Sequence, residues 1–128
     1  MSEIHTVAVL SPKPDKVQRM RELLTHMCKE VHSKEVQPKT APQCESINAD
    51  QQQDYTLRYM MTEQVDAETP DFVMIETYKS KGAAEKHPQE PHFKELFGAF
   101  EKEGIFAKPP YLAHTTTKAG FDRDRSLL

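Results

Sequence analysis

Seven consecutive residues, Phe72-Val73-Met74-Ile75-Glu76-Thr77-Tyr78, carry apolar or aromatic groups at both parities. Side chains of a strand alternate between its two faces, so a strand with one covered face alternates apolar with polar. This segment therefore needs cover on both sides. Helices packed on the sheet supply one cover, and a partner subunit can supply the other. At 128 residues the chain is the size of one domain built around one core.

The rest of the chain fits a sheet of which this segment is one strand. Ile4 to Leu10 is apolar and β-branched enough for a first strand, ended by Ser11-Pro12-Lys13-Pro14 because proline cannot continue a ladder. Pro14 and Asp15 suit the first turn of a helix, in which Val17, Met20, Leu24, Met27 and Val31 recur at helical spacing. Leu23 and Cys28 widen that stripe, and His26 falls on the water side. Residues 33–54 then turn to Lys, Gln, Pro, Ser, Asp and Glu, with the run Gln51-Gln52-Gln53. They read as a long polar insertion loop, of the kind that serves as a lid or a mobile excursion. Tyr55 to Glu63 returns to strand alternation, with Tyr55, Leu57, Tyr59 and Met61 on one face and Thr56, Arg58, Met60 and Thr62 on the other. The connection through Pro70 is short enough for an antiparallel hairpin.

Ser80 caps a short helix through His87, which Pro88 and Pro91 interrupt before Phe93, Leu96, Phe97 and Phe100 resume helical spacing. Beyond Gly104 and Pro109-Pro110, Tyr111 to Thr116 reads as a last strand, and residues 117–128 as a charged tail. The order βαββαβ over residues 1–116 is that of a ferredoxin-like α+β sandwich, a four-stranded antiparallel sheet with helices on one face.

Composition narrows the function classes. The chain is 37% hydrophobic and 29% charged, the balance of a well-solvated globular protein. Its 17 basic and 20 acidic residues give a formal charge of -3 and no basic stripe for releasing counterions, so no nucleic-acid partner is expected. Apolar runs such as Val7-Ala8-Val9-Leu10 are too short for a membrane span or a secretory leader, which leads to the expectation of a cytoplasmic protein with no membrane partner. Cys28, beside the helical stripe, and Cys44, in a polar loop without a neighbouring histidine, read as reduced thiols rather than a disulfide or a nucleophile.

Three stretches carry a resemblance: Val7-Ala8-Val9-Leu10-Ser11-Pro12-Lys13-Pro14-Asp15-Lys16, the strand from Phe72 to Tyr78, and His87 followed by Pro91-His92-Phe93-Lys94. In this order they resemble the antibiotic biosynthesis monooxygenase (ABM) domain family, over most of residues 4–116. The resemblance implies a homodimeric α+β barrel in which two four-stranded sheets meet face to face, each helix-covered face forming a substrate cleft. It implies cofactor-independent oxygenation of phenolic, quinol-like or polyketide metabolites, haem degradation, or processing of small signal molecules, which are different chemistries on one scaffold. Haem-degrading relatives place an iron-ligating histidine a few residues beyond the Phe-Lys pair, together with an Asn and a Trp. Here Phe97 stands at that helix position and the chain has no Trp, which argues against haem. The family's frequent Pro-Gly turn before the second strand is replaced by the insertion 33–54. The expectation is thus a monooxygenase acting on a small aromatic or quinone-like substrate with no cofactor. A non-catalytic ligand-binding or stress-response barrel, and an isomerase or cyclase, are the alternatives.

Cofactor-free oxygenation needs a base to deprotonate an electron-rich phenol or anthrone, polar groups to hold the anion, and an apolar shelter while oxygen reacts. Histidine suits the first task. His87 and His92 flank the break in the second helix, where both can face the cleft; a surface or capping role is the other reading. Their spacing of five across two prolines does not set a metal pair on one face, and no third ligand is evident, so no metal is expected. Tyr59 and Tyr78, on adjacent strands, can direct hydroxyls at a substrate oxygen or simply pack in the core. Glu76 shares the face of Tyr78 and could orient a histidine, although a place at an exposed strand end is expected. Arg58 has the opposite parity from Tyr59 and reads as an interface or surface charge. Phe72, Met74, Phe93 and Phe97 are candidate apolar walls of a substrate cavity, and equally candidate core.

Overall fold

The computed structural model describes residues 3–36 and 56–123. Cys44, Tyr55 and most of the polar insertion lie outside the described residues. Four strands, β1 (Ile4–Leu10), β2 (Thr56–Glu63), β3 (Phe72–Tyr78) and β4 (Tyr111–Thr115), form one antiparallel sheet in the order β2-β3-β1-β4. Helices α1 (Val17–Lys34), α2 (Lys81–Lys86) and α3 (Pro91–Glu103) cover one face. This is the ferredoxin-like α+β fold that the periodicities predict, with α2 and α3 as the two pieces of the broken second helix.

Strand β3 is two-sided as its sequence requires. Phe72, Met74, Glu76 and Tyr78 face the helices alongside Thr6, Ala8 and Leu10 of β1, all buried. Val73 and Ile75, with Val7 and Val9, face the open side and are only partly covered. The simple alternation expected for β2 breaks at its start. A register shift between Thr56 and Arg58 pairs Thr56 with Tyr78 and buries it, leaving Leu57 exposed at the irregularity. From there Tyr59 opposite Glu76 and Met61 opposite Met74 face the helices, as expected.

Helix α1 buries Met20, Leu24, Met27 and Val31, and a 3-10 turn over Pro14–Lys16 leads into it. It runs through Ser33 and Lys34, residues whose composition reads as loop, and closes on Glu35, which is buried. The backbone N–H of Thr56 donates to the Glu35 carbonyl at 2.8 Å, so the chain departs and returns at one point. Helix α3 ends at Gly104, whose φ of 61° is the left-handed cap that lets the next residue, Ile105, turn inward and bury completely. Ile105 then accepts from the Lys13 N–H at 2.9 Å, tying the end of α3 to the end of β1. Arg19 grips Glu103 at 2.8 and 2.9 Å, and Arg21 grips Glu63 at 2.8 Å through each of two nitrogens. These forked pairs sit at the surface and fix the seating of α1 more than they stabilise it.

After β4 the chain turns back over the open face. The His5 ring bridges Thr77 Oγ1 at 3.0 Å and Thr117 Oγ1 at 2.7 Å, and Arg58 pairs with Asp122 at 3.0 Å. Arg58 is thus a surface charge of the open face, the role expected of it.

Phe100, without solvent contact between α3 and the sheet, should be costly to truncate. Phe100→Ala is expected to lose about 3–5 kcal/mol in urea unfolding, whereas exposed Leu57→Ala should lose under about 1 kcal/mol.

Candidate active site

Between the sheet and the helices lies a cavity of about 840 Å³. Ala8, Met74, Tyr59, Glu76 and Tyr78 line it from the sheet, and His87, Phe93, Leu96 and Phe97 from the helices, with exposed Lys81, Glu85 and Gln89 at the rim. Its placement follows from local sequence. Ser80 Oγ accepts the Ala83 N–H at 3.1 Å and starts α2, whose Ala83 and Ala84 are small enough to lie close against Tyr78 and Ile4. Pro88 and Pro91 then break the helix into a 3-10 turn, His87–Gln89, and a new start. The turn drops the His87 ring among Tyr59, Tyr78 and Phe93, at centroid distances of 5.3, 5.6 and 5.0 Å.

Glu35 holds that ring from behind. His87 Nδ1 lies 2.8 and 2.9 Å from the two carboxylate oxygens, His92 Nε2 contacts Oε2, and Thr56 Oγ1 donates to Oε1 at 3.2 Å. All four residues are buried. Burial pushes the Glu35 carboxyl up, but the hydrogen bonds and charges of His87 and His92 outweigh it and hold the group below the usual carboxylate range. An ionised carboxylate only accepts, so the imidazoles donate to it and the His87 proton sits on Nδ1. In the neutral form of the ring, this leaves His87 Nε2 as the acceptor. It is buried and has no hydrogen-bond partner among the described residues. A carboxylate behind one imidazole nitrogen and a free second nitrogen at a cavity wall is the arrangement of an oriented general base.

Glu35, His87 and His92 also bring a ligand atom each within 4.8 Å of one another, the one such trio among the described residues. The third ligand that the sequence does not reveal is thus supplied by the end of α1. The three donors on Glu35 satisfy its oxygens with hydrogen bonds alone.

A second carboxyl lies on the sheet side. Glu76, expected at an exposed strand end, is buried, and the Tyr78 hydroxyl donates to its Oε1. Burial raises the Glu76 carboxyl above its ordinary range, against the Tyr78 hydrogen bond and the charge of His87. Burial likewise raises Tyr59 and Tyr78, with the negative charge of Glu76 adding to it, so both hydroxyls stay protonated.

Solved structures share this architecture over most of the chain. A conserved protein from Methanosarcina mazei is 22% identical, with a TM-score of 0.68 over 92% of this chain and 95% of that one. A Caulobacter crescentus protein provisionally named an antibiotic biosynthesis monooxygenase is 19% identical, with a TM-score of 0.70 over 92% of each chain. Another structure named antibiotic biosynthesis monooxygenase is 14% identical, with a TM-score of 0.65 over 91% and 99% of the two chains. The chain has the ABM fold. No family model matches the sequence, and no curated protein matches it.

Within this ABM fold the residues singled out by sequence divide clearly. His87, Tyr59, Tyr78, Glu76, Met74, Phe93 and Phe97 line one cavity. His92 is brought to the same cluster but stands behind it, on Glu35, and does not line the cavity. Phe72 does not line it either; its buried ring lies in the core, with the Arg21 guanidinium 5.9 Å away. Glu35 and Thr56 are the residues that sequence reasoning missed.

The two carboxyls should give stability changes of opposite sign. The folded state favours protonated Glu76, so its contribution is present below the ordinary carboxylate range and lost as pH rises through the raised value. Glu76→Gln is therefore expected to raise Tm by a few degrees near pH 7 and to change it little near pH 4. The folded state favours ionised Glu35, whose contribution is present above the ordinary range and fades as pH falls through the lowered value. Glu35→Gln should cost about 2–3 kcal/mol near pH 7 and less near pH 3, read from thermal unfolding across a pH series.

Proposed function

We propose that this protein is a cofactor-independent monooxygenase acting on a small aromatic, quinol or polyketide-type metabolite, and that it works as a cytoplasmic homodimer. The observation that carries this reading is His87, with Nδ1 on the buried Glu35 carboxylate and Nε2 partnerless in the wall of a largely apolar cavity. In the proposed reaction Nε2 removes a proton from a phenol or an activated methylene, and Glu35 stabilises the imidazolium that results. The Tyr59 and Tyr78 hydroxyls, kept protonated by burial, hydrogen-bond the substrate oxygen that gathers charge. Met74, Phe93 and Phe97 are the apolar walls, Phe93 and Phe97 stacked at 4.6 Å between centroids. Oxidation of a methylene to a carbonyl supplies every electron needed to place one atom of dioxygen on the substrate and release the other as water. The substrate anion is thus the only reductant required.

In this reading His92 acts through Glu35 and Phe72 belongs to the core. The catalytic domain is residues 1–116, with 117–128 as a tail. Val7, Val9, Val73 and Ile75 form an apolar centre on the open sheet face, continued by exposed Met60 and Tyr111, and this supports a second sheet packing there.

Oxygen uptake by metal-stripped protein against anthrones, quinols and polyphenols tests the activity. His87→Ala should lower turnover about 10²–10⁴-fold and His92→Ala by less, with the dimer intact. No uptake across the panel would sink the oxygenase reading, and saturable binding without uptake would assign a ligand-binding barrel in its place. Ile75→Lys should turn the dimer into a monomer in size-exclusion chromatography with light scattering.

A further inference from the structure

Glu35, His87 and His92 do more than hold one ring in place. One carboxylate and two imidazoles, each offering a ligand atom within 4.8 Å of the others, are the donor set of a three-ligand transition-metal centre. All three side chains are buried, so they meet through the packing of the fold rather than as a chance gathering of surface groups. The end of α1 supplies the carboxylate, the 3-10 turn supplies His87 Nδ1, and the first turn of α3 supplies His92 Nε2. Support behind the ligands is present as well. Thr56 Oγ1 donates to Glu35 Oε1 at 3.2 Å and orients the carboxylate, while the His87 ring packs against Tyr59, Tyr78 and Phe93. An ion about 2.0–2.1 Å from each of three tetrahedrally disposed donors sets them about 3.3–3.4 Å apart. His87 Nδ1 lies 2.8 and 2.9 Å from the two carboxylate oxygens, so opening the cluster by about 0.5–1 Å admits the ion, a change within the reach of side-chain torsions.

We propose that Glu35, His87 and His92 bind a divalent transition metal, Zn²⁺ fitting best, and that the ion switches off the base. The site stands on its own geometry, and the switch rests on the proposed role of His87. Two nitrogen donors argue against Mg²⁺ and Ca²⁺, which take oxygen ligands, and three protein donors leave a fourth position for water. In the metal-free protein each ring donates an N–H to Glu35. Coordination takes the lone pair of that same nitrogen, so the proton moves, through solvent, to the other nitrogen of the ring. A neutral imidazole gains and loses no proton in this exchange, and nothing is oxidised. For His87 the displaced proton arrives on Nε2, the atom that has no hydrogen-bond partner among the described residues, on a ring in the cavity wall. An acceptor thereby becomes a donor, and the ring no longer takes a proton from a substrate. The carboxylate that orients the base in the metal-free protein helps to disable it when metal is bound.

Calorimetric titration of metal-stripped protein with Zn²⁺ tests the site, with Mg²⁺ as the control. Wild type is expected to take up Zn²⁺ in equal proportion to chains and to ignore Mg²⁺, and Co²⁺ in its place should give the intense visible absorption of a four-coordinate centre. Glu35→Gln and His92→Ala should each weaken Zn²⁺ binding by about 100-fold or more, whereas His26→Ala, exposed on the water side of α1, should leave it unchanged. If either variant fails to fold, long-range proton–nitrogen NMR correlations of the wild type decide: Zn²⁺ has to convert His87 from the Nδ1–H to the Nε2–H tautomer. No Zn²⁺ uptake by wild type, unweakened binding in a folded variant, or an unchanged His87 tautomer at saturation overturns the site. Oxygen uptake reads the switch. Saturating Zn²⁺ should lower it about ten-fold or more, and undiminished uptake by the saturated protein overturns the switch. Metal-stripped protein that takes up no oxygen with any substrate sinks the oxygenase reading and the switch with it, while calorimetry and the spectra judge the site alone.

Discussion

The buried carboxylate of Glu35 is the point on which the site depends. Three segments converge on its two oxygens at the end of α1: the start of β2, the turn after α2 and the first turn of α3. A lone ionised carboxylate in that position would be strongly unfavourable, and three donors make it tolerable. The dependence is mutual, because each donor is held in place by the charge that it solvates. The break in the second helix is what permits the convergence. On a continuous helix His87 and His92 would diverge by about 140° around the axis. The 3-10 turn at His87–Gln89 cancels that divergence and delivers both rings to one carboxylate.

Most of the fold was legible because periodicity survives in the chain. The stripe from Val17 to Val31, the alternation after Tyr59 and the two-sided β3 each announce their element and its covered face. The site was legible where its residues had distinctive chemistry on a recognisable element, as His87, Tyr59 and Tyr78 did. Glu35 was hidden because it opens a polar stretch that reads as loop. The signal that exposes it is the stripe itself: Met27, Val31 and position 35 fall at successive steps of four on one helical face, so Glu35 continues the buried side. Thr56 was hidden by the irregularity in β2, which no local pattern reveals. Glu76 was placed outside because it stands near a strand end, and the helices packed on that face of the sheet bury it.

Glu35 and Glu76 share a side chain and a depth and differ in what surrounds them. Imidazoles and a hydroxyl donate to Glu35, and its charge is retained. Glu76 receives the Tyr78 hydroxyl among apolar walls, and burial raises its carboxyl above the ordinary range. The difference traces to the sheet. Glu76 belongs to a central strand, facing the cavity, while Glu35 sits where a helix ends and loose polar groups can gather.

The hydrogen bond from Thr56 to the Glu35 carbonyl has an evolutionary corollary. It closes the neck of the excursion between α1 and β2, and the residue forming one side of that neck also carries the carboxylate of the site. Whatever lies between can lengthen or shorten while both anchors stay put, at an entropic cost that grows only by about 0.6 kcal/mol for each doubling of length. Sequence drift in the excursion is thereby decoupled from the proton chemistry at its base. Descendants of such a chain are free to vary the length and sequence of the excursion without retuning the histidine held by its first anchor.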